Sequence, residues 1–264
     1  MTPEVGRLVD GWVALKARPL QWHADDSTRA DGYAVMGVSP GRETWTGSQR
    51  PAWSPFVGRA RKLALLDAVL DQVKAGRGQV VSLVGAPGMG KSRLLDEFRQ
   101  RLGAQRVRYV GGHCIAYGSA TPYLPVLDLL REYCGIAADN HPGTLLTKVR
   151  ASLQQTSLDP DVSLAYLRHL LGLPVDGDQL AHFSAETCKV RTFEAIRQLF
   201  LTSSRHYPVV LAVENLHWID PTSEALLASL MDGLAGAAIL VLATFRPGYR
   251  PRWLDKSYAT QIAL

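Results

Sequence analysis

Cysteine is scarce: three residues in 264, at positions 114, 134 and 188. Cys114, Cys134 and Cys188 are odd in number and form no C-x-x-C pair. They argue against a structural zinc site or a disulfide framework and suit a reducing compartment. Long apolar runs are also missing. The longest, at 209–213 and 237–243, fall far short of the ~20 residues that cross a bilayer. The N-terminus, MTPEVGRLVDGWVALK, carries charges and no apolar stretch of signal length. These absences predict a cytoplasmic protein with no membrane partner. No block of five or more basic residues marks a nucleic-acid tail. No helix-turn-helix pattern is visible, and no repeat of about 20–50 residues argues for a solenoid.

Hydrophobic residues make up 47% and charged residues 20% of the chain, proportions that argue against disorder throughout. Lys+Arg number 29 and Asp+Glu 24, a formal charge of +5. Such a balance permits weak attraction to polyanions such as nucleotides without demanding it. The basic residues are scattered and read as a solvated surface, so nucleic acid is not the expected partner.

Three segments differ in composition. Residues 1–38 form a small N-terminal fragment in which GYAVMGV (32–38) reads as a strand. Residues 39–55, SPGRETWTGSQRPAWSP, have linker composition. From Phe56 to Leu264 strands and helices alternate. Leu63, Leu66, Val69, Leu70 and Val73 lie at helical spacing. The apolar runs at 79–85, 107–114, 207–215 and 237–248 predict buried strands, and QIAL (261–264) begins a fifth. Residues 122–205 read as a helical insertion with breaks at Pro142, Pro160 and Pro174. DPTSEALLASLMDGL (220–234) is a helix capped by Asp220 with Pro221 in its first turn. The expected fold is α/β: a parallel sheet covered by helices on both faces.

Gly85-Ala86-Pro87-Gly88-Met89-Gly90-Lys91-Ser92 satisfies G-x-x-x-x-G-K-[ST], with a strand before it and an amphipathic helix after it. Glycines let backbone N–H groups turn inward around phosphate oxygens, and the helix adds its positive end. Lys91 is expected on the β- and γ-phosphates and the Ser92 hydroxyl on Mg2+. Such a loop needs an acid at the end of another strand. Glu214 follows four apolar residues, Val210 to Val213, and occupies that place. Asn215 stands where many hydrolytic members of this class carry a second acid; an amide positions water but does not take its proton. His217 reads as a packing or hydrogen-bonding residue rather than a metal ligand, since no partner lies at ligand spacing. ILVLATFRPG brings Thr244 and Arg246 to a strand end. If that strand lies beside the phosphate-loop strand, both side chains project at the edge where ligands bind in open sheets, and Arg246 reads the γ-phosphate.

Taken in order, Phe56-Val57-Gly58-Arg59, GAPGMGKSRLL, YLPVLDLLR, VVLAVENLHWIDPTSEALL and LATFRPGYRPRW resemble one family. It is the AAA-type NTPase module of the signal-transduction ATPases with numerous domains (STAND), as found behind class III adenylate/guanylate cyclase domains and in large LuxR-type regulators. The resemblance covers about 51–264. It implies a P-loop NTPase that binds ATP and Mg2+ for signalling, with protein partners or self-association. Val57, Gly58 and Arg59 then lie by the adenine, Gly85 to Ser92 with Arg93 hold the nucleotide, Ser92 and Glu214 serve Mg2+, and Thr244 and Arg246 form the sensor strand. Lys91, Glu214, Asn215 and Arg246 are the residues implied for hydrolysis. Relatives usually have Glu-Asp-Leu-His-Trp; Asn215 replaces that Asp and puts ATP turnover in doubt. Relatives also continue into a winged-helix segment and helical repeats, so the chain reads as truncated near its fifth strand. GWVALKARPL and DGYAVMGV resemble the last part of a cyclase domain. The alternatives are a cyclase-related protein, a DNA-binding regulator fragment, and an interaction scaffold that has lost nucleotide binding.

Overall fold

A computed structural model of the chain describes residues 13–20, 30–38, 56–103, 105–116, 122–136, 142–154, 156, 159–173, 180 and 182–264. The linker expected at 39–55 and the break expected at Pro174 lie outside these residues. The chain divides into two compact units, Met1–Pro55 and Phe56–Leu264.

In the first unit, β1 (Val13–Leu20) and β2 (Ala30–Val38) pair antiparallel, with a bulge between Ala14 and Leu15. β1 was not among the expected strands. Its Lys16 and Arg18 interrupt the apolar pattern, and a hairpin strand needs a partner more than an unbroken run.

The second unit runs α1 (Ala60–Lys74), β3 (Gln79–Val84), α2 (Lys91–Leu102), β4 (Arg108–His113), α3 (Leu124–Tyr133), α4 (Pro142–Leu153), α5 (Pro160–Leu170), α6 (Ala185–Ser204), β5 (Val209–Glu214), a 3-10 turn (Leu216–Trp218), α7 (Pro221–Asp232), β6 (Ile239–Phe245) and β7 (Ala259–Ala263). Five parallel strands form one sheet in the order β4-β5-β6-β3-β7. The last strand starts at Ala259, two residues before the expected QIAL segment.

Alternation within each strand sends side chains to two faces. Val209, Leu211 and Val213, with Ile239, Val241 and Ala243, pack among α3–α7. Val210, Ala212, Leu240 and Leu242 face α1 and α2. All five apolar positions expected in α1 are buried, none more than 5% exposed. The sheet is therefore a helix-covered parallel sheet with both faces apolar, which explains its unbroken hydrophobic runs.

The helices at 122–205 are not an appendage. Val126, Leu129, Leu130, Ile196, Leu199 and Phe200 belong to the same core as β5 and β6, so α3 and α6 supply one layer of the domain. Pro142 and Pro160 open helices rather than merely interrupting them, because proline has no N–H to lose in a first turn. Asp220 caps α7 by accepting from Thr222 and Ser223 N–H at 3.0 and 2.9 Å.

Candidate functional site

The parallel order brings the C-terminal ends of β3, β5 and β6 together, with β6 between the other two. After β3 the backbone turns through Gly88 (φ +76°) and Gly90 (φ +78°), left-handed values that favour glycine. Gly90 is the N-cap of α2, and no side chain caps that end. The first N–H groups of α2 therefore face the loop, the arrangement that receives anions. Pro87, Gly88 and Met89 are exposed at the loop tip, as is Ala86, while Gly85 is buried.

Lys91 is 8% exposed. Its Nζ donates to the carbonyls of Gly85 at 2.7 Å and Ala86 at 3.0 Å. Burial, and then the charge of Arg246, lower its pKa, and Glu214 opposes them. Arg59 donates to Gly90 O at 3.2 Å and to Met89 O. The Phe56–Arg59 block is thus tied to the loop through Arg59. Phe56 lies 5.9 Å from the Arg93 guanidinium, which pairs with Glu97 at 2.5 Å. Val57 is 81% exposed beside Gly58 (φ +83°).

At the end of β5, Glu214 Oε2 accepts from the Ser92 hydroxyl. Asn215 adopts φ +60°, a left-handed conformation that asparagine tolerates better than most residues. Its N–H donates to Thr244 Oγ1 at 3.0 Å. Thr244 is fully buried. This corrects the expectation that Thr244 projects to the ligand edge: its hydroxyl is spent inside, holding the turn after Glu214. Arg246, one residue past β6, lies with its guanidinium 4.9 Å over the Trp218 ring. Trp218 in turn contacts His217, with ring centroids 4.4 Å apart.

The His217 ring nitrogens are buried and have no hydrogen-bond partner among the described residues. Burial first, then Arg246 and Lys91, lower its pKa. Burial and the two neighbouring cations thus disfavour a charge on the His217 ring.

Sequence reasoning missed His113, Asp128 and Trp218. His113 Nε2 lies 3.7 Å from Glu214 Oε1, and its Nδ1 lies 3.6 Å from Asp128 Oδ2. The interaction with Asp128, and then the charge of Glu214, raise the His113 pKa against the effect of burial. Only the strand register, His113 opposite Glu214, makes this visible.

The residues fit a phosphate chain with a divalent cation. Arg59, Lys91 and Arg246 supply positive charge, and the uncapped helix supplies donors. Among the described residues no cluster of three or more His, Cys, Asp or Glu is able to hold a metal. One hydroxyl beside one carboxylate suits Mg2+, which keeps several waters and is shared with phosphates. Two clefts of about 380 and 400 Å3 lie along α6, and neither is lined by a residue of the phosphate loop.

Fold and site together define a phosphate-loop α/β nucleotide-binding module. The sequence profile of the AAA ATPase domain matches residues 55–242, and the chain belongs to that family. Members use nucleotide and typically Mg2+. An uncharacterized protein of Rhizobium meliloti (strain 1021) is 31% identical over 211 residues, which are 80% of this chain and 20% of the relative. The chain thus spans about a fifth of that relative's length. Among solved structures, C. elegans PCH-2 matches with 12% identity and TM-score 0.37, covering 77% of this chain and 41% of its own. The Drosophila ORC bound to AT-rich DNA and Cdc6 matches with 14% identity and TM-score 0.32, covering 79% and 61%. Overlaps this loose carry no argument beyond the fold read directly from the strands. No helix among the described residues is long and apolar enough to cross a membrane.

Proposed function

We propose that this chain is an ATP-binding, slowly ATP-hydrolysing signalling NTPase module of the STAND type, of the kind joined to class III cyclase domains or LuxR-type regulators. The observation that carries the reading is the meeting of Lys91, Ser92, Glu214 and Arg246 at neighbouring strand ends. The N–H groups of Gly88 to Ser92 and the Lys91 ammonium hold the phosphates. Ser92 and Glu214 would hold Mg2+, which would supply charge neutralisation on the phosphates when bound. Arg246, which lies over the Trp218 ring, would supply positive charge to the terminal phosphate. Arg59 fixes the Phe56–Arg59 block against the loop, and Val57, exposed beside it, covers the adenine. Asn215 orients the attacking water by a hydrogen bond but does not take its proton, so turnover is slow. The nucleotide state then biases partner binding or self-association through the loops that touch the phosphates.

The test is equilibrium binding of a labelled ATP analogue, with Mg2+ and with chelator, and hydrolysis on the same preparation. ATP displaces the analogue far better than GTP does. Absent binding overturns the reading, and equal competition by GTP overturns the role given to Val57, Gly58 and Arg59. Cyclic AMP production by the purified chain is expected to be nil.

A further inference from the structure

We propose that Arg59 is a positioning residue for the phosphate loop: its guanidinium holds the second half of the loop with the backbone N–H groups turned to the phosphate side. The inference rests on the loop being the phosphate cradle, and it gives Arg59 a task that needs no base. One guanidinium donates to two successive carbonyls, that of Gly90 at 3.2 Å and that of Met89. In a trans peptide the C=O and the following N–H point to opposite sides. Drawing the Met89 and Gly90 carbonyls to Arg59 therefore turns the Gly90 and Lys91 N–H groups the other way. Those N–H groups lie at the start of α2, which no side chain caps.

The loop needs a hold at this place. Gly88 and Gly90 both sit at positive φ, and peptide planes beside glycine have the widest range of orientations open to them. A carbonyl and an N–H exchange sides unless one of them is held. The Gly90 carbonyl also accepts from Leu94 N–H at 3.0 Å, the opening bond of α2. The Met89 carbonyl is held by Arg59. Glycine at 90 serves this contact as well as the turn, since a methyl there would lie 3.3 Å from Arg59 Nη1. Lys91 Nζ takes the carbonyls of the first half of the loop, Gly85 and Ala86. Lys91 is the cation required on the phosphates, so Arg59 is the one able to stay on the loop when phosphate arrives.

α1 delivers Arg59 to the loop. Arg59 is the N-cap of α1, and its carbonyl accepts from Lys62 and Leu63 N–H at 3.0 and 3.1 Å. Leu63, Leu66 and Leu70 of α1 pack in one core with Leu94, Leu95 and Phe98 of α2. Lys62, in the same first turn, donates to the Ala263 carbonyl of β7. The guanidinium and the carbonyls it holds thus belong to parts fixed in one packed unit, so the contact braces the loop. The Arg59 side chain makes no capping hydrogen bond of its own, and removing it leaves the start of α1 intact.

The experiment uses the full chain and three variants, Arg59→Ala, Arg59→Lys and Arg61→Ala, with inorganic tripolyphosphate as the probe. Tripolyphosphate carries a phosphate chain and no base. It is titrated by calorimetry in EDTA, which takes divalent metal out of the comparison. A fluorescent ATP analogue is titrated in parallel, beside thermal melts. A donor to a charged acceptor is worth about ten- to a hundred-fold in affinity, so Arg59→Ala is expected to bind tripolyphosphate about tenfold more weakly. Arg59→Lys keeps the charge but has no fork for two carbonyls, and it recovers only the smaller part of that loss. Arg61, exposed in the same first turn, is the control: Arg61→Ala removes the same charge and binds as the parent does. Unchanged tripolyphosphate affinity in a folded Arg59→Ala variant overturns the inference, even where the ATP analogue binds less well, because Arg59 then serves the base side alone. Full recovery in Arg59→Lys, or an equal loss in Arg61→Ala, overturns it in favour of charge without geometry. Should Arg59→Ala not melt cooperatively, Arg59→Lys decides, and its tripolyphosphate affinity must fall below the parent's. A parent that binds the ATP analogue but not tripolyphosphate overturns the inference, since a braced loop holds phosphate without a base. A parent that binds neither overturns the nucleotide reading itself.

Discussion

Replacing Thr244 with valine tests the buried contact that shapes the turn after Glu214. Valine keeps the volume and removes the acceptor of the Asn215 N–H, a 3.0 Å hydrogen bond made by a fully buried hydroxyl. Leaving a buried donor unpaired costs roughly 1–3 kcal/mol. Asn215 is only partly buried, so water compensates in part and about 1–2 kcal/mol is expected. For a domain of this size each kcal/mol moves Tm by roughly 2–4 °C, so the valine variant should melt about 2–8 °C below the parent. The turn carries the 3-10 segment with His217 and Trp218, and Arg246 rests on Trp218. ATP turnover should therefore fall along with stability. Thr244→Ser keeps the acceptor and loses one methyl, worth about 0.8 kcal/mol. Urea and thermal melts of both variants, with and without ATP and Mg2+, separate the two contributions. If the valine variant melts with the parent, the hydrogen bond does not hold the turn, and the reasoning fails.

Lys91→Ala should weaken nucleotide binding about 10–100-fold, the value of a charge-assisted contact worth roughly 1.5–3 kcal/mol. Lys148→Ala, in α4, should bind as the parent does in the same fluorescence titration. Asn215→Asp should raise turnover, since general-base assistance is typically worth about 10²–10⁴-fold. Aspartate also tolerates the left-handed backbone at this position, so ATP affinity should change little; an unchanged turnover number would show that Asn215 is not the limiting residue. Thiol labelling of the native protein should reach Cys188 first. Cys114 is 2% exposed and burial pushes its pKa up to about 12, so it should react only on unfolding, as should the buried Cys134. Equal labelling rates for all three would refute the packing at the end of β4.

Much of the architecture was legible because it is local. The phosphate loop needs glycine where φ is positive and small residues where backbone donors converge, and both demands are written in consecutive residues. The period of α1 marked its five core positions, and the Asp220-Pro221 pair marked the start of α7, because caps and amphipathic stripes are satisfied within a few residues. Glu214 stood out as the first acid after an unbroken apolar strand.

What the tertiary structure alone decided was which strand ends are neighbours. Buried parallel strands are apolar on both faces, so their sequences carry almost no record of order or register. Nothing in GGHC or AVEN indicates that His113 lies opposite Glu214. Nothing in DLLRE indicates that Asp128 and Glu132 take the edge N–H groups of β4. Thr244 and Arg246 share a strand end, yet one turns into the core to hold Asn215 and the other lies on Trp218. Their roles diverge because each is set by contacts with residues distant in the chain, which only the assembled sheet brings within reach.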